Sequence, residues 1–434
     1  MARIAMFLAR SPRAPMTGRK TVIHSTVHAL GAEGHEVDLF VMAHRPAGAA
    51  AGKAFVREAE RRHAGRARRA VWLGTPAKHL VARNVGLCLA MGRQSLNEAL
   101  FHSASLLSYS RRLRPLYDYA IADTIRTARY ADALGLPWHL DLDDLLSARY
   151  SEYAERRDGM SASLVLGYYR DSLPKLACAL PKYLLERVLR TESRRLVARE
   201  RYWAGKAGTV SLVSRVEAQR FERFTGRQVY SLPMSVSIPA ARWRRRAAAA
   251  NRGVFLGGLD YKPNLDALKY YETAVFPALR RAFGPGVPPL AHIGNAPEAL
   301  RRQFSSSAVS FEGYVEDLPA RLGDADFFVA PIVSGTGIKV KVLQAMAVGV
   351  PVIATASAVR GLEVEHKRDC YICHAPEDFT AGIRYLSNPV AAADMGDNAR
   401  HYVDVNFSAK ALRRRWNEVL GELAARGTRS CSPH

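Results

Sequence analysis

Short apolar runs of strand length alternate with stretches of helical period along most of the chain. Residues 3–9 (RIAMFLA), 37–42, 70–73, 118–123 (DYAIAD), 138–142 (WHLDL), 209–214 (TVSLVS) and 229–233 read as strands, and 254–258, 290–294, 309–313, 326–330 and 350–355 form a second set. Between them, apolar positions recur at helical spacing: 19–30 predicts a helix with Val22, Val27 and Leu30 inward, 264–283 a longer one, and 408–425 a last one opened by Ser408. Alternation of this kind predicts parallel sheets with helices on both faces. Residues 235–253, SVSIPAARWRRRAAAANRG, carry neither period and read as a linker. The expected organisation is an α/β domain over 1–234, a linker over 235–253, a second α/β domain over 254–407, and a terminal helix and tail over 408–434.

The densest pattern is 326–355, DFFVAPIVSGTGIKVKVLQAMAVGVPVIAT, which reads as strand, glycine loop, buried helix, strand. Gly335 and Gly337 allow backbone geometries closed to other residues, and Ser334 and Thr336 are placed to cap the following helix. From 338 to 348 the chain is apolar almost all round, the mark of a helix inside a layered domain. Its polar exceptions, Lys341 and Gln344, share one face with Gly337, directly below the helix start. Gly349 stops the helix. Unpaired amides and the helix dipole favour phosphate at such a start, and Lys341 adds a positive charge one turn in. A plain strand-to-helix turn carries the same glycines, and the string is neither GxxxxGK[ST] nor GxGxxG.

As a whole, APIVSGTGIKVKVLQAMAVGVPVIAT resembles the donor-site segment of the retaining glycosyltransferases of the family 4, or group 1, type, which includes sucrose synthase and bacterial polysaccharide enzymes. GVFLGGLDYKPNLDALKYY is similar to a subgroup, opening GxxdYxPNxdA, found with exopolysaccharide loci. The resemblance implies the GT-B architecture: two Rossmann-like domains facing across a cleft, with the terminal helix crossing back to the first. It implies glycosyl transfer with retention from a nucleotide-diphosphate sugar to a lipid-linked or polysaccharide acceptor, with no cofactor and no metal at the sugar step. In the second domain, Gly335, Thr336 and Gly337 would cradle the diphosphate, and Lys341 and Lys262 would supply catalytic charge. The family often places an arginine where this chain has Gly258, and paired glutamates where it has Thr336 and Gln344. Tyr314 and Val315, in FEGYVED, fall in the loop whose backbone meets the nucleobase. In the first domain, Gly18 matches a glycine near donor phosphate and acceptor.

Independently of the resemblance, ligands of open parallel sheets sit beyond the carboxyl ends of the strands. That aims the 11–18 loop and Asp123 at such a crevice. In DLDD, Asp141 and Asp143 share a face of an extended chain, and Asp144 is placed to cap the next helix; metal binding, capping and acceptor contact stay open.

The chain of 434 residues carries a net charge of +23, concentrated in residues 1–230, which hold 38 Lys and Arg against 21 Asp and Glu. Such a field suits an anionic membrane surface, although an arginine-rich composition produces it with no partner. The helical stretch 150–203 mixes Tyr, Leu and Arg and reads either as an interfacial basic surface or as a packed helix pair with a solvated face. No reading motif for nucleic acid accompanies the charge. No run is long and apolar enough to span a bilayer, and 3–9 is too short for a signal sequence, so the expected location is cytoplasmic, with at most peripheral contact at the inner face of the cell membrane. The five cysteines are scattered; Cys370 and Cys373 with His374 match CxxCH, but the segment reads better as an edge strand than as a haem site. Two other functions remain: an inactive GT-B subunit that binds a membrane or partner enzyme, and a GT-B nucleotide-sugar epimerase or hydrolase.

Overall fold

The computed structural model describes residues 1–12, 18–43, 67–92, 94–155, 182–240, 242–243, 252–304, 309–335 and 337–430. Much of the 11–18 loop, part of the 150–203 stretch and Thr336 lie outside the described residues. Its contacts divide into two compact units, Met1–Pro233 with Arg413–His434, and Met234–Leu412.

The first unit is built on a seven-stranded sheet in the order β3-β2-β1-β4-β5-β6-β7. The strands are β1 Arg3–Leu8, β2 Glu36–Val41, β3 Ala67–Trp72, β4 Tyr119–Asp123, β5 Trp138–Asp141, β6 Thr209–Leu212 and β7 Tyr230–Ser231. Every pairing is parallel, with Phe7 beside Phe40 on one side and Ala122 on the other. The central strands are buried on both faces, which explains why they read as continuous apolar runs rather than alternating ones. The helix Gly18–Ala32 buries Val22, Val27 and Leu30, the predicted face. The terminal helix, Ala409–Ser430, belongs to this unit from Arg413 onward. Its Trp416 is fully buried, 5.1 Å from the His139 ring, and Leu423 packs over Gly208.

The second unit is built on a six-stranded sheet in the order β10-β9-β8-β11-β12-β13. Its strands are β8 Gly253–Leu256, β9 Leu290–Ile293, β10 Val309–Gly313, β11 Phe327–Ala330, β12 Val352–Thr355 and β13 Tyr371–Cys373, again all parallel. The long helix expected over 264–283 is two helices, Lys262–Tyr270 and Phe276–Phe283, joined by a π turn at Tyr271–Val275. Pro277 has no N–H for the regular ladder, so a widened turn before it is the physical outcome. Part of the predicted linker packs on this unit. Trp243 is buried and donates its Nε1–H to Ala325 O at 2.7 Å, and the Val236 amide donates to Phe407 O. β13 is an edge strand with Cys370 and Cys373 free and buried, and burial together with Asp369 pushes the Cys370 thiol up to about 12. Among the described residues no helix is long and apolar enough to cross a membrane.

Each sheet reverses its winding once, between β1 and β4 in the first unit and between β8 and β11 in the second. At such a point neighbouring crossovers leave to opposite faces, which opens a crevice beyond the carboxyl ends of the two strands. The chemistry-bearing residues gather at these two places.

Candidate functional site

In the second unit the crevice is framed by Gly257 and Gly258 after β8, by the loop after β11, and by the start of the helix Val340–Val348. Gly335 and Gly337 take φ of 97° and 73°, the left-handed region the reading required. No side chain caps this helix, whose N-cap is Lys339, so its first amides are open to a ligand. Ser334, expected as a cap, turns instead to the helix Lys262–Tyr270, where its Oγ donates to Asp266 Oδ2 at 3.1 Å. Lys339 fastens the loop from within, its Nζ donating to Gly335 O at 3.0 Å and to Gly337 O at 2.6 Å.

Lys341 comes off the first turn and runs under Gly257. Its Nζ donates to Asn264 Oδ1 and lies 5.0 Å from the centroid of the Phe255 ring. Asn264 is oriented by its own Nδ2, which donates to Gly258 O at 2.7 Å. Gly257 has φ 142°, and a Cβ there would stand 2.6 Å from Asn264 Nδ2 and nearer still to Lys341 Nζ. Only glycine leaves room for the lysine. Burial and the neighbouring Lys339 charge lower the Lys341 pKa to about 7. Lys262 stands apart: its side chain is largely exposed and pairs with Asp266 at 3.0 Å. Gln344 lies half-buried one turn below Lys341. Tyr314, almost wholly exposed, and Val315 follow the end of β10, two strands from β8 in the sheet order. Asn264, Asp266 and Lys339 carried no assigned role in the sequence, although Asn264 and Asp266 are the polar members of the quoted PNLDA string.

In the first unit the crevice holds Gly18, at the helix start, and the adjoining Arg19. Arg19 is buried and gathers three carboxylates: its Nε and Nη2 donate to Asp123 Oδ1 at 2.8 and 2.6 Å, its Nη1 donates to Asp141 Oδ2 at 2.9 Å, and Asp143 lies at 3.5 Å. Asp123 also accepts the Ala9 amide at 3.0 Å. Burial would raise its pKa, but Arg19, Arg10 and that amide outweigh it, so Asp123 is a locked anion rather than a proton acceptor. Burial and the neighbouring Asp144 hold Asp143 at about 6, against the pull of Arg19. Asp144 accepts from Arg149 Nε at 2.9 Å and does not cap the next helix. Glu200 does so, accepting from Ser147 N at 3.1 Å and from its Oγ at 2.6 Å. Among the described residues no group of His, Cys, Asp and Glu could hold a metal ion.

Comparison with known proteins points to the same arrangement. Residues 250–388, the body of the second unit, match the family model described as glycosyl transferases group 1. No curated protein matches the chain. Among solved structures, HepE from Anabaena in complex with UDP aligns over 96% of this chain and 99% of its own at 15% identity and a TM-score of 0.60. Sucrose-phosphate synthase from Thermosynechococcus elongatus aligns over 98% and 100% at 16% identity, TM-score 0.61. TarM aligns over 98% and 99% at 11% identity, TM-score 0.61. At these identities the likeness speaks for the fold, which is GT-B.

Proposed function

We propose that this chain, a group 1 glycosyltransferase of the GT-B fold, moves a sugar from a nucleotide-diphosphate donor to a lipid-linked or glycan acceptor with retention of configuration. The observation that carries the reading is the uncapped start of the helix Val340–Val348 with the Lys341 side chain beside it. The bond between the sugar carbon and the diphosphate breaks with its electron pair going to oxygen. Helix amides and Lys341 act on that growing charge, which is where preorganised donors lower a barrier most. Lys262, exposed and already paired, would contribute at longer range. Asp123 would fix the acceptor-side crevice rather than exchange a proton. HepE has been crystallised with UDP and with UDP-glucose, which makes a uridine donor the first to try.

Gln344 would accept a hydrogen bond from a ribose hydroxyl, a positioning task its amide oxygen can fill without charge. Gln344→Glu should therefore tighten nucleotide-sugar binding by up to about tenfold, with chemistry retained. A thermal-shift screen selects the donor, and affinity and turnover of both proteins check the claim. Binding restored only in the glutamate variant would favour an inactive subunit, and sugar conversion without any acceptor would favour an epimerase or hydrolase.

A lipid-linked acceptor fits one surface feature. The helix Lys78–Met91 ends with Leu87, Leu89 and Met91 half-exposed or more, beside Arg195 of the helix Lys182–Lys206. Sedimentation with lipid vesicles should show association with anionic but not neutral lipid, fading at high salt. Equal association with both would remove the membrane from the proposal.

A further inference from the structure

Among the described residues Lys341 has no carboxylate against it: burial and the Lys339 charge work against its ammonium, and only the Phe255 ring face and the Asn264 oxygen favour it. Against it lie the Phe255 ring of β8 and Gly257 just after that strand. From the helix Lys262–Tyr270 comes Asn264, a neutral acceptor, while Asp266 of the same helix is turned away to Lys262 and Ser334. From β9 comes His292, bonded through Nε2 to Gly257 O and kept neutral by burial, which lowers its pKa. From the helix start comes Lys339, a like charge spent on the loop carbonyls. The groups named against Lys341 are therefore neutral or positive, and the one carboxylate of the neighbouring loop, Asp260, lies over Gly258. A second positive charge here lacks the anion that would normally hold it, and a diphosphate at the helix start would supply one.

We infer that a nucleoside diphosphate binds this unit together with a proton: the ligand-free site carries Lys341 in large part as the neutral amine, and the arriving diphosphate draws one proton from solvent onto its Nζ. The inference rests on the donor-site reading above and adds to it a charge requirement. A ligand with two phosphates gains an ion pair created by its own arrival, whereas a nucleoside leaves the amine neutral and gains nothing from it. The lowered Lys341 pKa, about 7, sets the scale. Uptake should rise from about half a proton at pH 7 to about nine-tenths at pH 8. The bound state holds the extra proton, so affinity is greatest below pH 7 and falls about tenfold per unit once pH is well above it.

The test is calorimetric titration of the full chain with uridine diphosphate at pH 7 and 8, in HEPES and in Tris, whose ionisation heats differ. The native protein should show buffer-dependent heats equivalent to the uptake above. Lys341→Arg, charged at both pH values, should bind with only the proton change of the ligand itself. Asn264→Asp places a carboxylate against the amine and should likewise abolish the uptake, with weaker binding. Binding by the native protein with the same proton change as both variants overturns the inference and leaves the donor site standing. No binding of uridine, guanosine, adenosine or thymidine diphosphate by the native protein overturns the donor reading and the inference together.

Discussion

Arg19→Met should cost the first unit about 3–5 kcal/mol of stability at pH 7.5, the range for a buried charge network that loses one partner. The side chain is 97% buried, and without it Asp123, Asp141 and Asp143 face one another with no cation between them. Methionine fills similar space, so the loss is electrostatic rather than a cavity. The pH dependence follows from proton counts. In the native protein Asp123 is held below its ordinary value, so its contribution is present above pH 4 and is lost only in acid, whereas burial already raises Asp141 and Asp143 against the pull of Arg19. In the variant nothing from Arg19 would oppose burial, so Asp141 and Asp143 would rise further and Asp123 would rise with them, the folded state would bind more protons than the unfolded one, and stability would increase more steeply as pH falls from 7.5 to 5 than in the native protein. Denaturant unfolding followed by tryptophan fluorescence reads this directly, since Trp138, Trp203 and Trp416 are all buried in this unit. Adding Asp141→Asn and Asp143→Asn to Arg19→Met should restore most of the loss. A deficit under about 1 kcal/mol that does not change with pH would contradict the account.

That cluster was the part of the molecule least legible in the sequence. The strands were readable because parallel strands covered on both faces leave continuous apolar runs, and the glycine loop because only left-handed backbone explains Gly335 and Gly337. Arg19 gave no such signal: it is one of 63 Lys and Arg residues, on a helix whose other face carried the periodicity. Its partners lie 104 and 122 residues further on, and only the strand order, with β1, β4 and β5 side by side, brings them together. Asp123 and the DLDD acids stood out as carboxylates at strand ends, but without the arginine Asp123 read only as a residue aimed at the crevice, and the DLDD acids as metal ligands, helix caps or acceptor contacts. Ser408 caps the last helix as expected, but two other predicted caps failed for a related reason. Ser334 and Asp144 had the correct local spacing, and Asp266 and Arg149 offered them better partners. In the second unit the sequence placed Lys341 on the polar face of its helix, one turn in from the start. What that face meets, Asn264 and the space left by Gly257, lies 77 residues or more away in the chain.

Lys341→Ala should weaken binding of a nucleoside diphosphate by about 10- to 100-fold, the loss of one charge-assisted hydrogen bond of about 1.5–3 kcal/mol. The nucleoside alone should bind within about twofold of its native affinity, because its contacts end before the phosphates. The alanine variant should fold normally: the lysine has Asn264 and the Phe255 ring as neighbours and no carboxylate that its loss would strand. The contrast between the two ligands separates a charge aimed at phosphate from a general loosening of the unit. It also bears on the Gly257 berth, since Gly257→Val should displace the same amine and weaken the diphosphate in the same sense. The most direct measurement is therefore a paired titration of native protein and Lys341→Ala with uridine diphosphate and with uridine. The account predicts a large loss for the first ligand and none for the second; an equal loss for both, or none for either, would contradict the placing of the donor diphosphate at this helix start.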